Sequence, residues 1–518
     1  MDRRTLLRGL GGAAVLAHAP RAWAQGAQGR WRRFETPNFV AFAAGDEAGP
    51  REEMVQLERF HALLAKLMPR TDRSPLKLQV YIASNNEDFN RSNPGMDSSV
   101  AGFYASDIEQ LRAVTAPGRA GERQGRMKQN VRAMDARVLL FHEYAHHFQA
   151  ANSRRLYPAW YREGFAEFVS TAMFDEKYTR VGMFTSARAM WLASGDWLPI
   201  DRFLRGRRRD SSDNAMFYAQ AWLATHYLFM TPARAAGFDR YCDALQLGGD
   251  PLEAFEPAFG ISYAEFDAEL RRYKRGSLKI LHLNADTTDY AATIVSRRLG
   301  AAADSILMPL SFLRAVPMRD EAKESVAIIR REAAKHPADP YAQIALAHVE
   351  VWYGDLAKAR LQLDGLVKTQ TDDPEVHHLS GLCDLRAAYA GGDIELFKSA
   401  RSAFAAAHRM DESRAVSLYR YFECVLNIEG ELSEHAVDVI VAAYGIAPQI
   451  HALALVAAQA LMHEERWDEA ETILQPLAAP SHRSRDERAS ALHDAVLAKQ
   501  QVPLTLYASA ATLSDQYE

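Results

Sequence analysis

The segment His142-Glu143-Tyr144-Ala145-His146 constrains the fold most, because its chemistry requires a helix. Apolar residues follow a helical pattern around it, from residue 131 to residue 150. Residues four apart lie on one face of a helix, so both imidazoles can point at a single ion. Glu143 lies one step round the helix, within reach of a water on the metal. The pattern predicts a hydrolytic zinc site with Glu143 as base, although two surface histidines on a helix can also arise without function.

The next segment supplies a resemblance to a known class of zinc peptidases. It reads PAWYREGFAEF, from Pro158 to Phe168, and resembles the gluzincins of the aminopeptidase N and thermolysin clan. In the aminopeptidase N branch the corresponding helix begins Trp-Leu-x-Glu-Gly-Phe-Ala, and the spacing from His146 is slightly shorter here. The resemblance implies that Glu163 joins His142 and His146 as the third ligand of a Zn²⁺ ion. The alternative for Glu163 is an exposed helix glutamate.

One departure from that branch bears on the kind of cleavage. Aminopeptidase N relatives hold a free amino terminus with a Gly-x-Met-x-Asn element, which is not found upstream of His142. The resemblance therefore gives no support to removal of single terminal residues. Cleavage within a peptide chain is the prediction.

Two residues beside the predicted ligands are candidates for supporting roles. Glu167 lies one helical turn beyond Glu163 and is placed to accept a hydrogen bond from a ligand imidazole, which would fix its tautomer. The alternative is an ordinary surface carboxylate. His147 adjoins His146 but points to another face of the helix, so we expect it to be structural or to support the ligands, not to be a fourth ligand.

A group that stabilises the oxyanion of the transition state is expected further along the chain. The helical pattern of residues 214–230 contains Tyr218, His226 and Tyr227. Tyr218 is the preferred candidate among them. The alternative is that this tyrosine only packs in the core.

The region around the motif predicts an α+β fold. Residues 39–42 and 76–82 read as strands, and residues 52–68 read as a helix. Residues 103–114 read as a hairpin or edge strand, and most of residues 159–273 are helical in pattern. We predict a small mixed sheet plus a helical subdomain, a gluzincin-like metallopeptidase domain over residues 30–275.

Beyond a predicted connector at residues 276–320, the sequence becomes repetitive. Asp339-Pro340 and Asp373-Pro374 begin helical stretches one period of about 34 residues apart. Gly354-Asp355 and Gly392-Asp393 mark turns into a second helix of each unit. Residues 321–518 resemble tetratricopeptide repeats, which implies an all-α solenoid; a helical bundle without repeats is the alternative.

The first 24 residues resemble an export signal of the twin-arginine type. Arg3 and Arg4 precede a weakly apolar stretch, and Ala22-Trp23-Ala24 is a small-x-small cleavage site. We predict a periplasmic or secreted protein cleaved after Ala24. No later segment is a long uncharged apolar run, so the mature chain is expected to have no membrane span.

Charge and cysteine content exclude other classes of function. The net charge is −5, and the arginines at 205 and 207–209 are offset locally by Asp210 and Asp213. This pattern favours a solvated loop over a nucleic-acid surface. Three cysteines, Cys242, Cys383 and Cys424, are too sparse for a disulfide framework and are expected to be buried thiols.

These patterns together predict an exported, zinc-dependent peptide hydrolase. We expect its peptide or protein substrate to lie along the edge strand within residues 103–114, and the repeats to present a surface for a protein partner. One alternative is a catalytically silent adaptor whose peptidase-like domain only binds a partner. Another is a zinc hydrolase that acts on an amide other than a peptide.

Overall fold

The computed structural model describes residues 28–68, 76–96, 102–106, 108–115, 131–132, 136–153, 155–478 and 487–507. The export signal predicted at residues 1–24 lies outside them. No helix within these described ranges is long and apolar enough to cross a membrane. The three cysteines are free and buried, as expected.

A six-stranded mixed sheet forms the first part of the molecule. Its elements are β1 (Gln28–Glu35), β2 (Phe39–Ala44), α1 (Ala48–Leu67), β3 (Leu78–Ile82), α2 (Asn86–Ser92), β4 (Gly102–Ser106) and β5 (Leu111–Thr115). The strand order is β11-β1-β2-β3-β5-β4, in which β11 (Val295–Gly300) comes from much later in the chain. β2, β3 and β5 are parallel, whereas β4 returns antiparallel to β5 with Phe103 opposite Val114. Within the described part of the chain β4 is therefore an edge strand, as expected for this segment, and β5 is internal.

The two faces of this sheet pack on different parts of the chain. Side chains alternate between faces along a strand. Phe39 and Val80 face a core shared with α1 and with the helix that carries the histidine motif. Phe42 and Tyr81 face a second core, which continues into the C-terminal helices. The sheet is thus the layer that joins the motif to the repeat region.

Helices dominate the region after the sheet. Its elements are β6 (Val131–Arg132), α3 (Ala136–Asn152), α4 (Ala159–Ser170), β7 (Met173–Phe174), β8 (Tyr178–Val181), β9 (Phe184–Thr185), α5 (Ser186–Ser194), α6 (Ile200–Leu204), α7 (Ser211–Met230), α8 (Pro232–Gln246), α9 (Phe255–Phe259) and α10 (Tyr263–Tyr273). α3 carries the histidine motif, and α4 carries the segment that resembles the gluzincin helix. The mixed α+β architecture predicted for this part of the chain is present.

The segment predicted as a connector contains two strands that pair with earlier strands. Its elements are β10 (Leu281–Asn284), a short 3₁₀ helix (Tyr290–Thr293), β11 (Val295–Gly300) and α11 (Ala303–Leu313). β10 pairs with β8, and β11 pairs with β1 across more than half the chain. Because the sequence of β11, VSRRLG, is largely polar, hydrophobic alternation does not predict this strand.

The C-terminal part is a helical-repeat-like array. Its helices are α12 (Arg319–Lys335), α13 (Pro340–Tyr353), α14 (Leu356–Thr369), α15 (Pro374–Gly391), α16 (Ile394–Met410), α17 (Ala415–Glu429), α18 (Glu434–Ile446), α19 (His451–His463), α20 (Trp467–Ala478) and α21 (Glu487–Leu497). Each helix packs on the next one along the chain. Asp339, Asp355, Asp373 and Asp393 cap their helices by accepting backbone N–H groups, which explains why the predicted starts at 340 and 374 agree with the structure.

Candidate metal centre

Close helix packing positions the candidate site. α4 lies between α3 and α7. A Cβ atom at Gly164 would lie 2.2 Å from the carbonyl oxygen of Ala221 and 2.3 Å from Oγ1 of Thr225. Only glycine allows α4 and α7 to approach this closely. The glycine beside Glu163 thus brings the α4 carboxylate, the α3 histidines and the α7 residues into one site.

Three predicted ligands converge at the α3–α4 contact. The Nε2 atoms of His142 and His146 are 3.2 Å apart. Oε2 of Glu163 lies 3.6 Å from Nε2 of His142 and 3.3 Å from Nε2 of His146. All three side chains are largely buried, with 12–18% of their surface exposed. The cluster is the one group of histidine, cysteine, aspartate or glutamate residues suited to hold a metal among the described residues.

The donor set fits a zinc ion. Nitrogen and oxygen ligands bind zinc at about 2.0–2.1 Å in tetrahedral sites, which separates neighbouring ligand atoms by about 3.3 Å. The three observed separations of 3.2, 3.3 and 3.6 Å bracket that value. Oε2 of Glu163 is buried and makes no hydrogen bond. Burying a carboxylate oxygen that makes no hydrogen bond costs free energy unless a cation lies next to it.

The electrostatics of Glu163 favour its ionised form. Burial raises the pKa of this carboxyl, but His142 and His146 outweigh burial and lower its pKa well below the ordinary value. The pKa of His142 is raised, because Glu163, Glu167 and Glu143 together outweigh the burial of the imidazole. A bound metal ion would take the place of the protons on the imidazoles as the positive partner of the carboxylates.

Glu167 lies where the sequence predicted a supporting carboxylate. Its Oε1 atom is 3.5 Å from Nδ1 of His142, and only 2% of its side chain is exposed. Arg188, in α5, donates to both carboxylate oxygens, from Nε at 3.0 Å and from Nη2 at 2.6 Å. This bidentate pair fixes Glu167 beside the imidazole. The surface-carboxylate alternative for Glu167 is wrong, whereas its effect on a bound metal remains a prediction.

Glu143 faces the hairpin formed by β4 and β5. It lines a small enclosure with Gly102 and Phe103 of β4 and with residues 113–115 of β5. Its side chain is partly exposed. The predicted base therefore lies next to the edge strand, on the same helix as His142 and His146. Its catalytic role remains a prediction.

Among the three side chains predicted on α7, only Tyr218 is placed against a ligand. Its ring centroid is 6.3 Å from that of His142, and the Arg188 guanidinium lies 4.9 Å from the tyrosine ring. His226 is turned away, toward the hydroxyl of Tyr273 at 2.9 Å and the carbonyl of Lys279 at 2.8 Å. Tyr227 donates to a carboxylate of α10. The structure thus brings Tyr218 to the site without testing its role.

His147 binds the edge strand, in agreement with a supporting position. The hydroxyl of Tyr104 in β4 is 3.1 Å from its Nδ1 atom. Burial, together with the nearby His61, lowers the pKa of His147 to about 3, so this imidazole is neutral. Tyr104 and Arg188 are the neighbours of the site that sequence reasoning missed. Neither lies at a helical spacing from the motif, so no periodic signal marks them.

Comparisons with known proteins assign no family to the chain. No protein-family model matches it, and no curated protein matches it either. One solved structure, a thermophilic TPR protein from Thermus thermophilus, is similar over 38% of this chain and 100% of its own. The sequence identity is 16% and the TM-score is 0.31. This chain therefore has a distant structural likeness to a TPR protein.

Proposed function

We propose that this protein is an exported zinc-dependent hydrolase that cleaves peptide bonds within chains. The observation that carries the proposal is the convergence of His142, His146 and Glu163, whose ligand atoms lie 3.2–3.6 Å apart. Glu143 on the adjacent face of the same helix adds the base that such a site needs. The export signal and the cleavage site after Ala24 are inferred from the sequence alone.

We infer further that the two parts of the chain are gluzincin-like and tetratricopeptide-like. The first inference is supported by the order of the ligands along the chain, with two histidines on α3 and a glutamate on the following helix, α4. The second is supported by the aspartate-capped starts of α13 and α15, one repeat period of about 34 residues apart.

The chemistry divides between the metal and the side chains. A zinc ion, when bound, supplies Lewis acidity that polarises a carbonyl and brings the pKa of water near neutrality. Glu143 accepts a proton at its carboxylate and passes it to the leaving amine. Glu167 holds the Nδ1 side of His142. Tyr218, whose ring lies beside that of His142, would donate a hydrogen bond from its hydroxyl to the developing oxyanion.

The edge strand offers the place for a peptide substrate. β4 pairs with β5 on one side, and it ends the strand order of the sheet. An extended peptide can add to such an edge by backbone hydrogen bonds. Glu143 lines an enclosure with Gly102 and Phe103 of that strand. We infer that a peptide paired with β4 would lie near Glu143.

Metal analysis and peptide cleavage test the proposal together. Purified mature protein is expected to carry about one zinc ion and to cleave members of a quenched fluorescent peptide library. Glu143→Gln should retain the metal and lower kcat by about 10²- to 10⁴-fold, since it removes the proton acceptor but no ligand. Glu176→Gln, the same change at an exposed glutamate, serves as the matched control and should leave kcat unchanged.

A second candidate function is a catalytically silent adaptor that binds a protein partner through its repeats. The observation in its favour is that the helix array already holds one extended segment, residues 500–507 of this chain, against its surface. Gln459 of α19 pairs with the backbone of Thr505, accepting from its N–H at 2.9 Å and donating to its carbonyl at 3.4 Å. Val502, Leu504 and Leu506 are the alternate, half-buried residues of the segment.

The same experiment separates the two functions. Absence of zinc, or zinc without cleavage of any peptide in the library, would favour the adaptor. Zinc with cleavage that Glu143→Gln abolishes would favour the peptidase. A protein that cleaves equally well with Glu143→Gln would contradict the assignment of the base.

A further inference from the structure

The hairpin formed by β4 and β5 reaches from the candidate site into the repeat array. At one end, Phe103 lines the enclosure with Glu143, and Tyr104 contacts His147 of α3. At the other end, the turn between the strands carries Ile108, Glu109 and Gln110. These two ends contact parts of the chain that are far apart in sequence.

The turn of the hairpin is buried in the repeat helices. Ile108 is 5% exposed and belongs to the hydrophobic core made by α17 to α21. Gln110 donates from Nε2 to the carbonyl of Ser311 in α11 at 2.9 Å. A hairpin tip that only needed to turn would be polar and solvated. This one carries an apolar anchor and a directed hydrogen bond.

Glu109 adds a buried ion pair with the repeat array. Its Oε1 atom accepts from Nη2 of Arg420 in α17, and its Oε2 atom lies 3.7 Å from Nε2 of His378 in α15. Arg420 is fully buried and donates from Nη1 to Glu423 at 2.8 Å. Burial opposes the charge on Glu109, but Arg420 and His378 outweigh burial and lower its pKa to about 2. The carboxylate is therefore charged, paired with Arg420 of α17 and close to His378 of α15.

A strand at a sheet edge needs such an anchor if it is to receive a substrate. Among the described residues β4 pairs with β5 alone, so we expect contacts at the ends of the hairpin to contribute to its order. A mobile strand must be ordered when a peptide pairs with it, and this ordering raises the free energy of binding. Anchoring the tip in advance removes that cost.

We propose that Glu109 and Arg420 are positioning residues that hold β4 in register beside the metal helix, so that the repeat array completes the substrate-binding edge. The proposal rests on the proposed peptidase function. It gives the repeats a role in turnover that does not require a separate protein partner. The substrate contact in this proposal is backbone pairing along residues 102–106.

The test compares graded changes at Glu109 in the full mature chain. Glu109→Ala removes the contact, and Glu109→Gln removes only its charge; in both, Arg420 keeps Glu423 as counter-ion, so no unpaired buried charge remains. With a cleaved quenched peptide as probe, kcat/KM should fall about tenfold for Glu109→Ala and less for Glu109→Gln. Most of the loss should be in KM, while the zinc content stays constant.

Hydrogen exchange gives a readout that does not depend on catalysis. Amides of residues 102–106 should exchange about tenfold faster in Glu109→Ala than in the wild type. Asp384→Asn is the matched control, because it removes a buried carboxylate that pairs with Arg360 at 2.9 Å inside the repeat array. This control should change neither KM nor the exchange of β4.

Each outcome decides one of the two proposals. Unchanged exchange of residues 102–106 in Glu109→Ala would overturn the anchoring role, whatever the activity. Faster exchange with an unchanged KM would overturn the positioning of substrate. A wild type that cleaves no peptide would overturn the peptidase function, and exchange alone would then decide whether the hairpin is anchored.

Discussion

Two buried clusters of charged and polar side chains differ in what balances their charge. In the α3–α4 cluster, His142, His146 and Glu163 turn their ligand atoms toward one point, and Oε2 of Glu163 makes no hydrogen bond. In the hairpin cluster, the Arg420 guanidinium lies between the carboxylates of Glu109 and Glu423. Both clusters are buried, yet the second contains its own cation.

The difference supports the proposal that the α3–α4 cluster binds a cation. A guanidinium presents several N–H donors, and in the hairpin cluster these meet carboxylate oxygens directly. Imidazole nitrogens and a carboxylate converging on one point offer electron pairs, and no lysine or arginine forms an ion pair with Glu163 among the described residues. The hairpin cluster is therefore complete as an ion pair. The α3–α4 cluster is the one that the proposed metal ion would complete.

The largest expected effect follows from removing the cation of the hairpin cluster. Arg420→Met removes the cation that the buried carboxylates of Glu109 and Glu423 share, and breaking a buried pair in this way costs about 3–5 kcal/mol. We expect the free energy of unfolding, measured by chemical denaturation of the full chain, to fall by about that amount.

Neutralising the whole cluster is the control for that prediction. Glu109→Gln and Glu423→Gln combined with Arg420→Met leave no unpaired charge, so most of the lost stability should return. A single Arg420→Met variant as stable as the wild type would contradict the view that the cluster depends on its own cation.

Changing one predicted ligand of the α3–α4 cluster should lower its affinity for zinc. Glu163→Gln replaces a charged ligand with a neutral amide, so the zinc Kd should rise about 100-fold or more, beyond the 10- to 100-fold effect typical of supporting residues. Isothermal titration of chelator-treated protein with zinc measures this change.

The matched control for Glu163→Gln lies on the same helix and carries the same substitution chemistry. Glu167→Gln changes a buried carboxylate that pairs with Arg188 and is no ligand, so it should affect zinc binding much less. Equal affinity of the wild type and Glu163→Gln would remove Glu163 from the ligand set and leave the two-histidine motif without its third member.

Local spacing explains which features the sequence could predict. His142 and His146 share a helix face because they are four residues apart, and a short connection brings the Glu163 helix back onto them. The aspartates before Pro340 and Pro374 mark helix starts by the same local chemistry. These predictions needed only the period of a helix and the preferences of its first turn.

Long-range partners could not be predicted from such periods. Arg188 meets Glu167 only because the β9–α5 turn carries it back over α4. The pairing of Glu109 with Arg420 joins residues more than 300 positions apart, and either residue alone reads as an ordinary surface charge. β11 pairs with β1 although its sequence is polar. These features depend on tertiary arrangement and leave no periodic mark.

The smallest expected effect concerns the carboxylate beside the first ligand. Oε1 of Glu167 lies 3.5 Å from Nδ1 of His142, so Glu167→Gln weakens the contact that orients this imidazole but leaves all three ligands in place. We expect the zinc Kd to rise about tenfold, as is usual for a partner of a ligand histidine. Zinc titration of Arg188→Lys provides the comparison, because it keeps a positive charge beside Glu167 but loses the bidentate geometry. If Glu167→Gln and Arg188→Lys both bind zinc as tightly as the wild type, the orientation of His142 is set by helix packing alone, and the pair is part of the core of α4 and α5.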